Sequence, residues 1–146
     1  EVPVEFKELL GHMASKTAGC RYCQAHTISG AERAGVDAER LAAIWEYQTS
    51  ELFSPAEKAA LDLAVSAAGV PNAVTDELMA EVRNHWDEGQ IVEIMAVIAM
   101  YGFLNRWNDS FATPLEQDSI DSASAALGHK GWSPGKHAGG ADASKT

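Results

Sequence analysis

Gln90–Phe111 reads QIVEIMAVIAMYGFLNRWNDSF. Its apolar residues Ile94, Met95, Val97, Ile98, Met100, Phe103 and Leu104 fall around most of a helical circumference rather than along one stripe. A helix of that kind is buried on nearly all sides. A chain of 146 residues supports one sizeable core. The segment therefore reads as a long buried central helix, or as one that finishes its burial against another subunit.

The flanking sequence is helical too. Glu5–Lys16 carries Phe6, Leu9, Leu10 and Met13 at helical spacing. Ala18-Gly19 marks a turn, and a second helix runs from about Cys20 to Ala34 with Gly35 as its stop. Asp37 caps a third helix bearing Leu41, Ile44 and Trp45. Ser54-Pro55-Ala56-Glu57 combines an N-cap serine, a first-turn proline and a glutamate three residues after the cap, which together start a helix. That helix carries Leu61, Leu63, Ala64 and Val65 and stops at Gly69-Val70-Pro71. Thr75-Asp76-Glu77 opens another, through Leu78, Val82 and Trp86 to Gly89, and a weaker one follows Pro114 through Leu115 to Ala126. No stretch alternates apolar and polar residues between hairpin turns. The expectation is an all-α fold with a single helical domain over residues 1–127. Residues 128–146, rich in Gly, Ser, Lys and Ala, read as a flexible tail in which only Trp132 and His137 offer docking groups.

The net charge is -10, from 11 Lys+Arg against 21 Asp+Glu. Such a surface repels phosphate backbones and anionic lipid, so neither nucleic acid nor membrane is an expected partner. Ile91–Leu104, the longest apolar run, is broken by Glu93 and falls short of the ~20 residues of a membrane span. EVPVEFKELL shows no basic region followed by an apolar one, so no signal peptide is visible and a cytoplasmic location is expected.

The two cysteines, Cys20 and Cys23, stand two residues apart. A CxxC dithiol supplies what two-electron redox chemistry needs, one thiolate to attack and a second thiol to resolve the product as a disulfide. At a helix start, free N–H groups and the positive dipole end lower a thiol pKa, and Cys20 gains most from this. His26 lies one helical step beyond Cys23, where an imidazole can accept or stabilise a thiol proton. Glu8, on the preceding helix, can face the pair if the two helices fold back on each other, and His12 is one turn further on. Zinc held by Cys20, Cys23, His26 and His12 is the rival reading. It crowds three ligands into about two helical turns, so no metal and no cofactor are expected.

Glu8…Cys20-Arg21-Tyr22-Cys23…His26 resembles the site of the alkylhydroperoxidase D-like branch of the carboxymuconolactone decarboxylase family. That pattern is a glutamate, eleven residues, Cys-x-x-Cys with an aromatic before the second cysteine, and a histidine shortly after. The histidine here comes one residue early, and Thr27 holds its usual position. Asn105-Arg106-Trp107-Asn108 and the late Gly131-Trp132…Gly135-Lys136-His137 extend the likeness. The resemblance implies an all-helical chain assembled as a trimer or hexamer, with cofactor-free peroxidase or disulfide-reductase chemistry. The catalytic set it implies is Cys20, Cys23, His26 and Glu8. Cys23 attacks a hydroperoxide, Cys20 resolves the sulfenic acid, and an external thiol reductant restores the pair. The helix-start argument favours Cys20 as the more acidic thiol, so which sulfur attacks stays open. Two alternatives share the fold: a carboxymuconolactone-type decarboxylase, which needs no dithiol, and a non-catalytic redox-sensing subunit.

Overall fold

The computed structural model describes residues 1–139, and residues 140–146 lie outside it. Seven α-helices follow in order: α1 (Val4–Ala18), α2 (Arg21–Arg33), α3 (Ala38–Ala43), α4 (Pro55–Ala68), α5 (Asp76–His85), α6 (Glu88–Phe111) and α7 (Gln117–Leu127). Short 3-10 turns occupy Ile44–Glu46, Gly128–Lys130 and Gly135–His137. No strand occurs among the described residues, and none of their helices is long and apolar enough to cross a membrane.

Local chemistry sets most of the boundaries. Gly19 ends α1 in the left-handed region at φ 79°, a conformation without steric cost only for glycine. Ser54 and Glu57 form a capping box at α4, Ser54 Oγ accepting from Glu57 N at 3.2 Å and Glu57 Oε2 from Ser54 N at 2.8 Å. A second box, Asp87 with Gln90, starts α6 at Glu88. The α6 start thus precedes the expected Gln90, because the Asp87 carboxylate satisfies the first N–H groups and Gly89 is taken into the helix rather than ending the one before.

α1 is the hub, packing on α2, α4 and α6. Two glycines permit this closeness. A Cβ on Gly11 would stand 2.2 Å from the Tyr101 ring of α6, and one on Gly30 of α2 would stand 2.7 Å from the Glu8 carboxyl of α1. Phe6, Leu9, Leu10, Ile28, Leu61, Leu63, Ile94 and Leu127 fill the core between them.

Two expectations need correction. α6 is not buried on nearly all sides within one chain: Ile94, Ile98 and Asn105 are buried, whereas Val92, Phe103 and Phe111 are 68%, 62% and 70% exposed. Residues 128–139 are not a flexible tail. Trp132 and His137 are buried, the Leu115 N–H donates to the His137 carbonyl at 2.8 Å, Arg21 Nη1 donates to Ser133 Oγ at 2.7 Å, and Lys130 pairs with Glu46. Composition hid this, because two buried rings and a few polar ties suffice to fasten a Gly-rich segment. The rest of the expected tail, residues 140–146, lies outside the described residues.

Replacing Gly11 with alanine adds helix propensity but drives a methyl into Tyr101. Overpacking outweighs the gain, so Gly11→Ala should lose roughly 1–2 kcal/mol net, read as a lower denaturation midpoint with unchanged m-value.

Candidate functional site

Cys20 is the N-cap of α2, in extended conformation, and its sulfur accepts from the Cys23 backbone N–H at 3.5 Å. Cys23 follows within the first turn. Both are free thiols and both are buried. The Cys23 thiol, hydrogen-bonded to the Cys20 sulfur, holds Cys20 down to about 7. The Cys23 backbone N–H and the charge of His137 act the same way, against burial and Asp109. Cys23 is pushed up by the proton it shares with Cys20, then by burial and by the charge on Cys20. The first thiol to ionise is therefore Cys20, as its place at the helix start requires.

His26 does not join the pair. Its Nε2 meets Glu116 Oε2 at 2.8 Å, its ring packs on Tyr22 at 4.6 Å between centroids, and no hydrogen bond links it to either sulfur. Helical spacing put it beside Cys23, but the acidic N-terminal flank of α7 draws the imidazole outward. The histidine at the Cys20 sulfur is His137. A ring nitrogen of His137, a carboxylate oxygen of Asp109 and the Cys20 sulfur lie within 4.8 Å of one another. Both His137 nitrogens face acceptors, Nδ1 the Thr113 carbonyl at 2.8 Å and Nε2 the Asp109 Oδ1 at 3.3 Å. Lys136 holds the other Asp109 oxygen at 3.1 Å.

Glu8 approaches the pair indirectly. Its carboxyl, raised by burial, accepts from the Tyr101 hydroxyl at 3.4 Å. Burial and the charges of Glu8 and Cys23 push the Tyr101 phenol up, so Tyr101 stands electrostatically between the carboxyl and the sulfurs. Asn108 Nδ2 points at Cys23 Sγ from 3.9 Å. His12 is spoken for elsewhere: it is fully buried, with Nδ1 3.0 Å from Thr27 Oγ1 and Nε2 accepting from Trp45 Nε1 at 3.0 Å. Thus Cys20 and Cys23 are brought together as expected and Glu8 is nearby through Tyr101, whereas His26 and His12 are engaged away from the sulfurs. Tyr101, Asn108, Asp109 and His137 were not singled out as site residues by sequence. Their one visible signal is that the first three share α6 with a polar run, Asn105-Arg106-Trp107-Asn108-Asp109, inside an otherwise apolar helix.

A cavity of about 430 Å³ opens beside the site, between the ends of α1 and α4 and the flank of α6. Asp109 is on its wall, as is Asn105, which is 3% exposed with neither side-chain amide atom hydrogen-bonded.

The Cys20 thiolate should persist above pH about 7 and be lost as pH falls through that value. Followed by the ultraviolet absorbance of the thiolate, Cys23→Ala should move this midpoint upward, and His137→Ala should move it less. An unmoved midpoint in Cys23→Ala would show that the partner thiol is not what lowers Cys20.

Residues 1–66 match the model of the carboxymuconolactone decarboxylase family. The uncharacterized protein YdfG of Bacillus subtilis is 33% identical over 103 residues, spanning 70% of this chain and 68% of YdfG. Among solved structures, apo debrominase Bmp8 superposes with a TM-score of 0.82 at 32% identity, covering 86% of this chain and 68% of Bmp8. A cysteine-to-alanine form of Bmp8 in complex with 2,3,4-tribromopyrrole gives a TM-score of 0.81 at 32% identity, over 85% and 66%. An Agrobacterium tumefaciens protein of unknown function, provisionally named antioxidant defence protein AhpD, shares the fold with a TM-score of 0.71 at 21% identity, over 76% and 78%. With the fold, the family model and the relatives agreeing, the chain belongs to the carboxymuconolactone decarboxylase family and has its AhpD-like helical fold.

Proposed function

We propose that this protein is a dithiol oxidoreductase that reduces a small substrate, a hydroperoxide first among candidates, and ends each turnover as a Cys20–Cys23 disulfide. The observation that carries the reading is the buried thiol pair at the α2 N-terminus, polarised so that Cys20 ionises while Cys23 keeps its proton. The Cys20 thiolate attacks the near peroxide oxygen and the O–O bond breaks. The departing alkoxide takes the proton from His137 Nε2 and leaves as the alcohol. The Cys23 sulfur then displaces the hydroxyl of the Cys20 sulfenic acid, and the Cys23 proton leaves with it as water. An external thiol reductant returns two electrons and two protons. One proton re-forms the Cys23 thiol and the other restores His137. His137, oriented by Thr113 and Asp109, thus takes the role expected of His26. The hydrogen bond to Cys20 and burial keep Cys23 protonated until the second step, and Glu8, bonded to Tyr101, lines that flank of the site. The cavity beside Asp109 is the approach for substrate, with the unpaired Asn105 amide as its polar anchor.

The likeness to debrominase Bmp8, whose altered form was solved with a tribrominated pyrrole, favours a second substrate class for the same dithiol. Two electrons from Cys20 and Cys23 would replace a C–Br bond with C–H and release bromide and a proton. In either case the reading places the protein in a reducing cytoplasm, which keeps both thiols free between turnovers.

The exposed stripe on α6 supports assembly as a homo-oligomer. Met100, Phe103, Trp107 and Phe111 recur every three to four residues along one face, and consecutive rings pack at 6.1 and 5.2 Å between centroids.

The decisive experiment counts free thiols in the reduced protein before and after addition of a hydroperoxide, and separately of a bromopyrrole with bromide measured. Wild type should lose both thiols with one equivalent of alcohol or bromide formed. Cys20→Ser should lose the activity, and Cys23→Ser should stop at a sulfenic acid on Cys20. Stalling in Cys20→Ser instead would make Cys23 the attacking sulfur, and two thiols that stay unreacted with every substrate would overturn the redox reading and favour a decarboxylase. For assembly, Trp107→Glu should sediment as a monomer with unchanged helical content where wild type sediments as an oligomer. A variant still oligomeric would place the interface elsewhere.

A further inference from the structure

Three groups that can ligate a soft divalent cation converge beside the Cys20–Cys23 pair, where the sequence offered a different set. The zinc reading of the sequence needs His12 and His26, and the fold commits both rings elsewhere. In their place stand His137, from the end of the described chain, and Asp109, from α6. The ligand atoms of Cys20, Asp109 and His137 lie within 4.8 Å of one another, and the Cys23 thiol is hydrogen-bonded to Cys20. Two sulfurs, one imidazole nitrogen and one carboxylate oxygen make a complete tetrahedral set for zinc. With Zn–S of ~2.3 Å and Zn–N or Zn–O of ~2.0 Å, the Cys20, Asp109 and His137 atoms are already close to the spacing of ligands around one ion, and Cys23 joins them by a turn of its side chain from the Cys20 sulfur.

The outer contacts are those of a ligating histidine. Metal-bound imidazoles as a rule give their other N–H to a carbonyl or carboxylate, which fixes the tautomer and aims the free nitrogen at the ion. His137 Nδ1 already meets the Thr113 carbonyl at 2.8 Å, leaving Nε2 directed at Asp109 Oδ1. Lys136 holds Asp109 Oδ2, so Oδ1 is the oxygen left for a cation. The His137 ring is itself anchored, since its carbonyl accepts from the Leu115 N–H and Tyr22 packs against it. Burial of Cys20 and His137 would keep water from competing for the ion. Soft thiolates select zinc over calcium and magnesium.

We propose that Cys20, Cys23, Asp109 and His137 form a Zn²⁺ site that, when filled, takes both thiols out of reaction. The site concerns the dithiol whatever substrate it reduces, so it stands or falls separately from the redox reading.

The test titrates the reduced, metal-free full chain with Zn²⁺ against a chromophoric indicator and measures alkylation of the thiols alongside. One zinc per chain should bind, both thiols should be protected from alkylation, and a chelator should restore them. His137→Ala and Asp109→Ala should each weaken binding by about tenfold or more, His26→Ala should leave it unchanged, and the disulfide form should not bind. Zinc X-ray absorption on wild type should show two sulfurs with nitrogen and oxygen in the first shell, which needs no variant to fold. Failure to bind one zinc per chain, a first shell without nitrogen, or His137→Ala and Asp109→Ala binding as tightly as wild type would overturn the site.

Discussion

The His12 ring reaches out of α1 with no exposure to solvent. Its Nε2 accepts the indole N–H of Trp45, so the proton belongs on Nδ1, which faces Thr27 Oγ1 and the Gln24 carbonyl on α2. Burial holds its pKa down to about 4, so the imidazole is neutral near pH 7 and every polar atom it carries is paired. This one ring locks three parts of the chain at a fixed separation: α1, the first turns of α2, and the 3-10 turn at Ile44–Glu46. Gln24 adds a second tie by donating to the Ser15 carbonyl at 3.3 Å. The start of α2, and with it the thiol pair, is aimed by these bonds rather than by hydrophobic packing alone.

Around that fixed start the site is assembled from remote pieces. α6 presents Tyr101, Asn108 and Asp109 inward and an aromatic stripe outward, so one helix both shapes the thiol environment and offers the surface on which copies of the chain can meet. The electrostatics divide accordingly. Toward the end of α6, Asp109 and His137 act on Cys20. Nearer its middle, Glu8 and Tyr101 face Cys23. Two chemically identical thiols therefore stand in unlike surroundings, which a dithiol needs if one sulfur is to ionise first.

The helices and the cysteine pair were readable because their signals are local. Ser54-Pro55-Ala56-Glu57 dictates a cap within four residues, and Cys20 after Ala18-Gly19 dictates a thiol at a helix start. Glu8 was reachable from the fold-back of the first two helices together with a family spacing, and the structure gives that spacing a physical basis: it sets the carboxyl against Gly30 and beneath Tyr101. His26 misled because helical spacing names neighbours on one helix and is blind to Glu116, far along the chain, which takes the ring. His137 and Asp109 were illegible for the same reason in reverse. Nothing near either residue in sequence contains a cysteine, and the Gly- and Ser-rich surroundings of His137 read as loop. The all-round apolarity of α6 was real, but it implied burial that a single chain does not provide.

The segment 128–139, fastened over the start of α2 by Arg21, Glu46 and Leu115, also sets an order of events. Cys20 and Cys23 leave the ribosome long before His137 does. While the chain is being made the thiols have neither their imidazole partner nor the segment that covers them. All seven helices can exist before the site does. A product cut short just after α7 would hold all seven helical segments and lack the core Trp132, and its thiol pair would be bare, open to any oxidant or metal ion it met.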